Sequence, residues 1–183
     1  PAGARDAERD VALAAAMLVT SGVPTATAAP APVVQPAAAV TADRLPTVQV
    51  NGVVWSQAVV GNTVYAGGSF ANARPAGSAP GTNLTTRNNL LAYDITTGNL
   101  VTSFAPNLNG QVLSVAASPD GSRIYVAGDF TTANGQARRR VAAYSTATGA
   151  LLPWNPSGPN SQARAIIATN DSVYVGGGFA GLS

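Results

Sequence analysis

From about residue 48 the chain is a succession of short apolar runs broken by Gly, Asn, Asp and Pro, and nothing after residue 40 sustains a helical period over ten residues. Three runs align: Val64-Tyr-Ala-Gly-Gly-Ser-Phe70, Ile124-Tyr-Val-Ala-Gly-Asp-Phe130 and Val173-Tyr-Val-Gly-Gly-Gly-Phe179. A second set is the pair 90–98 and 141–149, each an apolar stretch reaching a Tyr and ending in Thr-Gly. A third is Phe104-Ala-Pro-Asn107 with Trp154-Asn-Pro156. Tyr93 and Tyr144 stand 51 residues apart, Phe130 and Phe179 49, and Phe70 and Phe130 60. The longer spacing reflects an insertion of about nine residues that includes Ala76–Gly81, which has loop chemistry throughout.

A period near fifty with strand-like runs predicts four short antiparallel strands per unit. The first is Val112–Ala116, with counterparts around Ser56–Val60 and Ala165–Ala168. Gly61-Asn62, Pro119-Asp120-Gly121 and Asn170-Asp171 then supply a tight turn in each copy. The second strand carries the Tyr and the glycines, the third runs through Leu90–Tyr93 or Val141–Tyr144, and the fourth through Leu100–Phe104 or Leu151–Trp154. The Gly pairs 67–68 and 176–177 are expected to let strands and units approach closely. Tyr65, Tyr125, Tyr174, Phe70, Phe130 and Phe179 are expected to fill the space between units. The fold class is all-β.

These residues resemble the delta-60-type β-propeller repeat of secreted and surface bacterial proteins, with Kelch-like blades sharing the double Gly and the later Tyr and Trp. The matching stretch runs Tyr125–Arg138, then Val141–Tyr144, Thr148-Gly149 and Trp154-Asn-Pro156, and Arg87 and Arg138 each stand six residues before their Tyr. Ala127 replaces the first Gly in the second copy, and the first copy carries its insertion where the Asn-Gly turn should be. The resemblance implies blades at about 48–110 and 111–161 and the start of a third at about 162–183. Because a closed propeller needs at least four blades, it also implies that the remaining blades belong to a larger chain, with assembly of several chains into a ring as the alternative.

Ahead of the strands, Val11–Val19 is an unbroken apolar run of nine residues, too short to span a membrane. Its length suits the core of a secretory signal, and small residues at Ala26 and Ala28 suit a signal peptidase, so residues 1–29 are expected to be a signal peptide. Arg5 and Arg9 before the run are outnumbered by Asp6, Glu8 and Asp10, which keeps a short buried helix or an unstructured tail as the other reading. Residues 30–47, rich in Pro and Ala, read as an extended linker. The expected location is secreted or on the cell surface, with no transmembrane segment.

Composition narrows the chemistry. Lys, His and Cys are absent, so every basic side chain is one of ten Arg, and there is neither a disulfide framework nor a thiolate or imidazole to act as nucleophile or base. A formal charge of +2 gives no reason to expect a nucleic-acid partner. The only Glu is Glu8, leaving Asp43, Asp94, Asp120, Asp129 and Asp171 as later carboxylates. Asp120 and Asp171 read as turn residues, with metal binding as the alternative, and Asp120 and Asp129 flank opposite ends of one strand, too far apart for a paired-carboxylate mechanism.

Asp129, where the other copies have Ser69 and Gly178, is expected to bond loop amides or Arg138, with a metal ligand as the alternative. Arg138, Arg139 and Arg140 form the one charge cluster and are the candidate ligand-binding residues. Alternation would keep them from one flat patch, so Arg138 is expected to be structural and the other two to face any anionic glycan. No catalytic residue and no cofactor are assigned. The leading expectation is a non-enzymatic exported scaffold for binding or spacing, whose ligand, glycan or protein, would meet loops on one face or a central channel. The alternative is the N-terminal part of an exported polysaccharide-active or other propeller enzyme with its catalytic residues elsewhere.

Overall fold

The computed structural model describes residues 46–181. The expected signal peptide, Asp43, and all of the expected linker except Pro46 and Thr47 lie outside the described residues. Thirteen strands and no helix make up the described part. In chain order they are β1 (Gln49–Val50), β2 (Val53–Val60), β3 (Thr63–Ser69), β4 (Asn72–Arg74), β5 (Thr85–Thr86), β6 (Leu90–Asp94), β7 (Val112–Ala117), β8 (Arg123–Gly128), β9 (Thr132–Ala133), β10 (Gln136–Ala137), β11 (Val141–Ser145), β12 (Ala163–Ala168) and β13 (Val173–Gly177).

Three larger antiparallel sheets carry the apolar runs: β2-β3-β6, β7-β8-β11 and β12-β13. Their hairpins match in register. Each has one shift in its first strand, between Val54 and Ser56, between Val112 and Ser114, and between Ala163 and Ala165. Such a bulge sets two residues against one and sharpens the local twist. Opposite it lies Gly68, Gly128 or Gly177, and a Cβ there would overlap the carbonyl oxygen of Val53, Gln111 or Gln162. Gly68, Gly128 and Gly177 are therefore each fixed by backbone approach within their own hairpin. Gly67 instead faces the next sheet, since a Cβ on it would overlap the side chains of Val112 and Val115. At the corresponding place in the second sheet is Ala127, packed in one cluster with the smaller Ala163 and with Ile166.

The expected fourth strand is reduced to a single bridge in each copy, Tyr93 to Leu100 and Tyr144 to Leu151. The Val101 amide donates to the Ala92 carbonyl at 2.9 Å and the Leu152 amide to the Ala143 carbonyl at 2.8 Å, after which the chain leaves the sheet. In the first copy Phe104 N turns back onto Val101 O at 3.1 Å. In the second, Pro153 has no N–H with which to continue the ladder. Small sheets lie beside the large ones. β4 joins β1 to β5, and β9 and β10 form a hairpin closed by Asn134 and Gly135, at φ 49° and 76°, the paired left-handed residues of a type I′ turn.

Side chains along the central strands alternate between two apolar layers, as the two-residue strand period requires. Tyr65, Leu90, Ala92 and Phe104 join Val112, Val115, Ile124, Val126, Phe130, Ala142 and Tyr144 in a cluster shared by the first two sheets. Val64, Ala66, Leu91 and Tyr93 lie in the cluster on the first sheet's other face. Tyr125, Ala127, Val141 and Ala143 meet Ala163 and Ile166 between the second and third sheets. Tyr65, Phe130 and Tyr125 are buried in clusters shared between neighbouring sheets, as expected, whereas Phe70 is buried on the first sheet's other face, among residues of the first copy, and Phe179 is half-buried. Tyr174 differs: it is 61% exposed, on a face of β13 with no further sheet against it among the described residues.

Candidate functional site

The segment between β8 and β11 carries Asp129 and the three arginines. Arg138 is buried, its amide donating to Thr131 O at 2.9 Å. Its guanidinium donates to the carbonyls of Ala137 at 2.8 Å and Leu152 at 3.0 Å and to Gln136 Oε1 at 3.3 Å. It thereby ties the hairpin β9–β10 to the segment just after β11. Arg87 repeats part of this arrangement, with its amide on Ala71 O and its guanidinium on Thr86 O, and burial pushes its pKa down. Both arginines keep a buried Nε without a hydrogen-bond partner, and the buried Tyr144 hydroxyl is likewise unpartnered. Desolvation raises the Tyr144 pKa well above the usual phenol range, against an opposing pull from the Arg138 charge.

Asp129 does not bond Arg138 as expected. Its Oδ2 accepts from Gln111 Nε2 at 2.7 Å and from Gln162 Nε2 at 2.8 Å, and its Oδ1 faces Arg140 Nη1 at 3.4 Å. The Arg138 guanidinium is committed instead to the carbonyls of Ala137 and Leu152 and to Gln136. The amides are those of side chains, not of the loop backbone. Gln111 and Gln162 occupy corresponding positions just before Val112 and Ala163, so one carboxylate bridges the starts of β7 and β12. Three N–H donors converge on it, a setting that favours its anionic form, and a cation bound there would lie against the Arg140 charge. Among the described residues, no group of three His, Cys, Asp or Glu could hold a metal.

Arg139 is exposed and Arg140 half-buried, so the three arginines do face different ways. The cause is not strand alternation. Residues 138–140 fall outside the strands, and Arg140 is in the left-handed region at φ 65°, where Asn89 stands in the first copy at φ 67°. Two small clefts, of about 220 and 240 Å³, border Arg139, one with Thr131, Arg140, Pro159 and Asn160 and the other with Asn155, Pro156 and Ser157.

Asp94 and Asp120 are held by their turns. Asp120 accepts from the Ser118 hydroxyl and from the amide and hydroxyl of Ser122, which lowers its pKa to about 2. The Thr97 amide and hydroxyl, with Thr96 and Asn62, lower that of Asp94. Asp171 borders a different feature. A cleft of about 500 Å³ opens between the second and third sheets, lined by Tyr125, Val141, Trp154, Val173 and Val175, with Arg123 and Asp171 at its polar side.

A further set of residues escapes the apolar pattern altogether. Asn51 Oδ1 accepts from the amides of Ala71 and Asn72 at 2.9 and 2.8 Å, and Asn109 Oδ1 from those of Thr131 and Thr132 at 2.8 and 2.9 Å. Asn160 Oδ1 accepts from Ala180 N at 3.2 Å. Each clamps the chain leaving its second strand to the chain entering its first. The signal available was an Asn followed by a small residue at 51, 109 and 160.

No helix among the described residues is long and apolar enough to cross a membrane. Compared with known proteins, the chain matches no family model and no curated protein.

Proposed function

We propose that the chain is part of a delta-60-like β-propeller in an exported surface protein and serves as a non-enzymatic scaffold for binding or spacing. The observation that carries this reading is the triple recurrence of one hairpin, with the same bulge, the same opposed glycine and the same Asn clamp. Sheets that share apolar clusters face to face are what blades require. The chemistry of the polar groups points the same way. Asp94 and Asp120 are consumed by turns, Asp129 by two Gln and Arg140, and Arg138 by carbonyls. Arg139, exposed beside two clefts, is the residue best placed to meet an anionic glycan.

Electron microscopy of the full gene product tests the architecture: sheets arranged about a central channel support it, and a linear stack overturns it. Incubation with a panel of acidic polysaccharides tests the role. Retention of a polysaccharide at unchanged chain length, weakened by Arg139→Ala, is the expected result, and shortening of the polysaccharide overturns the scaffold reading.

A further inference from the structure

Asn is followed by Gly at three places among the described residues, 51–52, 109–110 and 134–135. In such a pair the Gly amide nitrogen can attack the Asn side-chain carbonyl, since no Cβ stands in its way. The nitrogen and Cγ must first reach a near-attack geometry, which requires the peptide between them to rotate. The surroundings therefore decide which pair reacts. Two are held. Asn51 Oδ1 is fixed by the amides of Ala71 and Asn72, and Asn109 Oδ1 by those of Thr131 and Thr132. Asn109 Nδ2, which would have to leave, donates to Thr131 Oγ1 at 2.8 Å. Their glycines are hemmed in as well, since a Cβ on Gly52 would overlap Ser69 O and one on Gly110 the backbone of Phe130. The third pair is the tip of the β9–β10 hairpin. Asn134 and Gly135 are both exposed, and the space beside Gly135 is empty. This openness belongs to the place in the repeat. In the first copy, which the second sheet follows, residues 79–84 of the insertion that replaces this turn are exposed too.

We propose that Asn134 is a self-modifying site, converted with age into aspartate and isoaspartate while Asn51 and Asn109 stay intact. The Gly135 amide nitrogen gives its proton to water or hydroxide and attacks Asn134 Cγ. The N–Cγ bond forms, the Cγ–Nδ2 bond breaks, and Nδ2 leaves as ammonia with a proton taken from water. Water then opens the five-membered imide. Hydrolysis of the N–Cγ bond leaves aspartate, and hydrolysis at the main-chain carbonyl of residue 134 leaves isoaspartate, with an extra methylene in the main chain. The two products act differently on the junction between copies. Aspartate keeps an acceptor for the Asn107 amide, which Asn134 Oδ1 now meets at 2.8 Å, and adds a negative charge. Isoaspartate lengthens the turn, which can no longer hold the paired left-handed residues of the hairpin. It also draws the amide of residue 134 from Asn107 O, now 2.7 Å away. Asn107 lies on the segment joining β6 to β7, so this product loosens the hairpin from the connection between the first two sheets.

The test is ageing of the full chain in mildly alkaline buffer, followed by tryptic peptide mapping. Cleavage at Arg123 and Arg138 isolates Asn134 in a peptide with no other Asn. That peptide should gain one mass unit, and resolve into aspartate and isoaspartate forms, about tenfold or more faster than the peptides holding Asn51 and Asn109. A sample aged in denaturant should lose the difference, because all three pairs are then equally free to rotate. Circular dichroism of the buffered sample checks that it stays folded. Comparable rates at the three sites in the folded chain overturn the proposal. A difference of the same size in denaturant also overturns it, by assigning the selectivity to neighbouring sequence and not to the clamps.

Discussion

The hydroxyl oxygen of Ser114 accepts a hydrogen bond from the amide of Ile166 at 3.1 Å, across the boundary between the second and third sheets. Ser56 does the same for the amide of Val115 at 3.0 Å, one boundary earlier. Both serines stand just after a bulge, where the shifted register turns the side chain toward the next first strand. The bulge therefore sets the contact between sheets as well as the twist within one. Ser114→Ala and Ser56→Ala should each lower the unfolding free energy by about 1–2 kcal/mol, since each leaves a partly buried amide without its acceptor. Urea denaturation of the two single variants checks this, and a loss within error of zero for both would refute it.

Gly67 and Val112 form a pair whose sizes are matched. Gly67→Ala should cost about 1–3 kcal/mol by overpacking, because the new methyl overlaps Val112 and Val115. Combined with Val112→Ala it should cost clearly less than the sum of the two single changes, as the Ala127 and Ala163 pairing already does one sheet later. A double-mutant cycle measures the coupling, and strict additivity would show that the two residues do not compete for the same space.

Arg140 is held in the left-handed region, which costs an L-residue roughly 1–2 kcal/mol. Its ion pair with Asp129 is partly exposed, and such pairs return about 0–1 kcal/mol. Arg140→Asn, the residue at the corresponding position 89, should leave stability unchanged or raise it by up to about 1 kcal/mol. Arg140→Ala keeps the strain and loses the pair, so it should fall below the wild type. Thermal denaturation of both variants gives the order, and Ala above Asn would contradict it.

Asp120 and Asp94 give the acid side of the stability curve its shape. Both carboxyls titrate below their ordinary range when folded, Asp120 at about 2, because hydroxyls and amides of their turns favour the anion. A depressed folded pKa means that stabilisation is fully present above the unfolded value, near 4, and is lost as pH falls through the folded value. The chain should therefore weaken progressively between about pH 4 and pH 2. Asp120→Asn should flatten that decline while lowering stability at neutral pH. Denaturation midpoints measured from pH 2 to pH 5 on both proteins test the slope.

The strands were legible where local chemistry determines them. The runs at 64–69, 124–128 and 173–177 announce themselves by alternating apolar residues and glycines, and the turns at Gly61 and Gly121 by their left-handed glycines. Leu100-Val101 and Leu151-Leu152 have the apolar character of strands, yet each leaves its sheet after two residues, because a reverse turn comes next in one copy and a proline in the other. Strand propensity does not report what the next residue can donate. The partners of Asp129 escape local reading for another reason. Gln111 and Gln162 are 18 and 33 residues away: the first reaches it across the β7–β8 hairpin, and the second because the first strands of two sheets lie side by side. The Asn clamps span 20 to 23 residues and carry no hydrophobic signature. Single polar residues that bond backbone at such distances are visible only by comparing copies position by position.

The apolar layer shared by the first two sheets also decides how the molecule comes apart. Tyr65, Leu90 and Phe104 from one sheet and Ile124, Phe130 and Tyr144 from the next lie in a single cluster, so neither sheet owns a complete core. Coupling of this kind passes between nearest neighbours only. Hydrogen exchange should therefore report the sharing: Phe104→Ala should speed exchange of the β11 amides as well as those of β3, because its ring meets both Tyr144 and Tyr65.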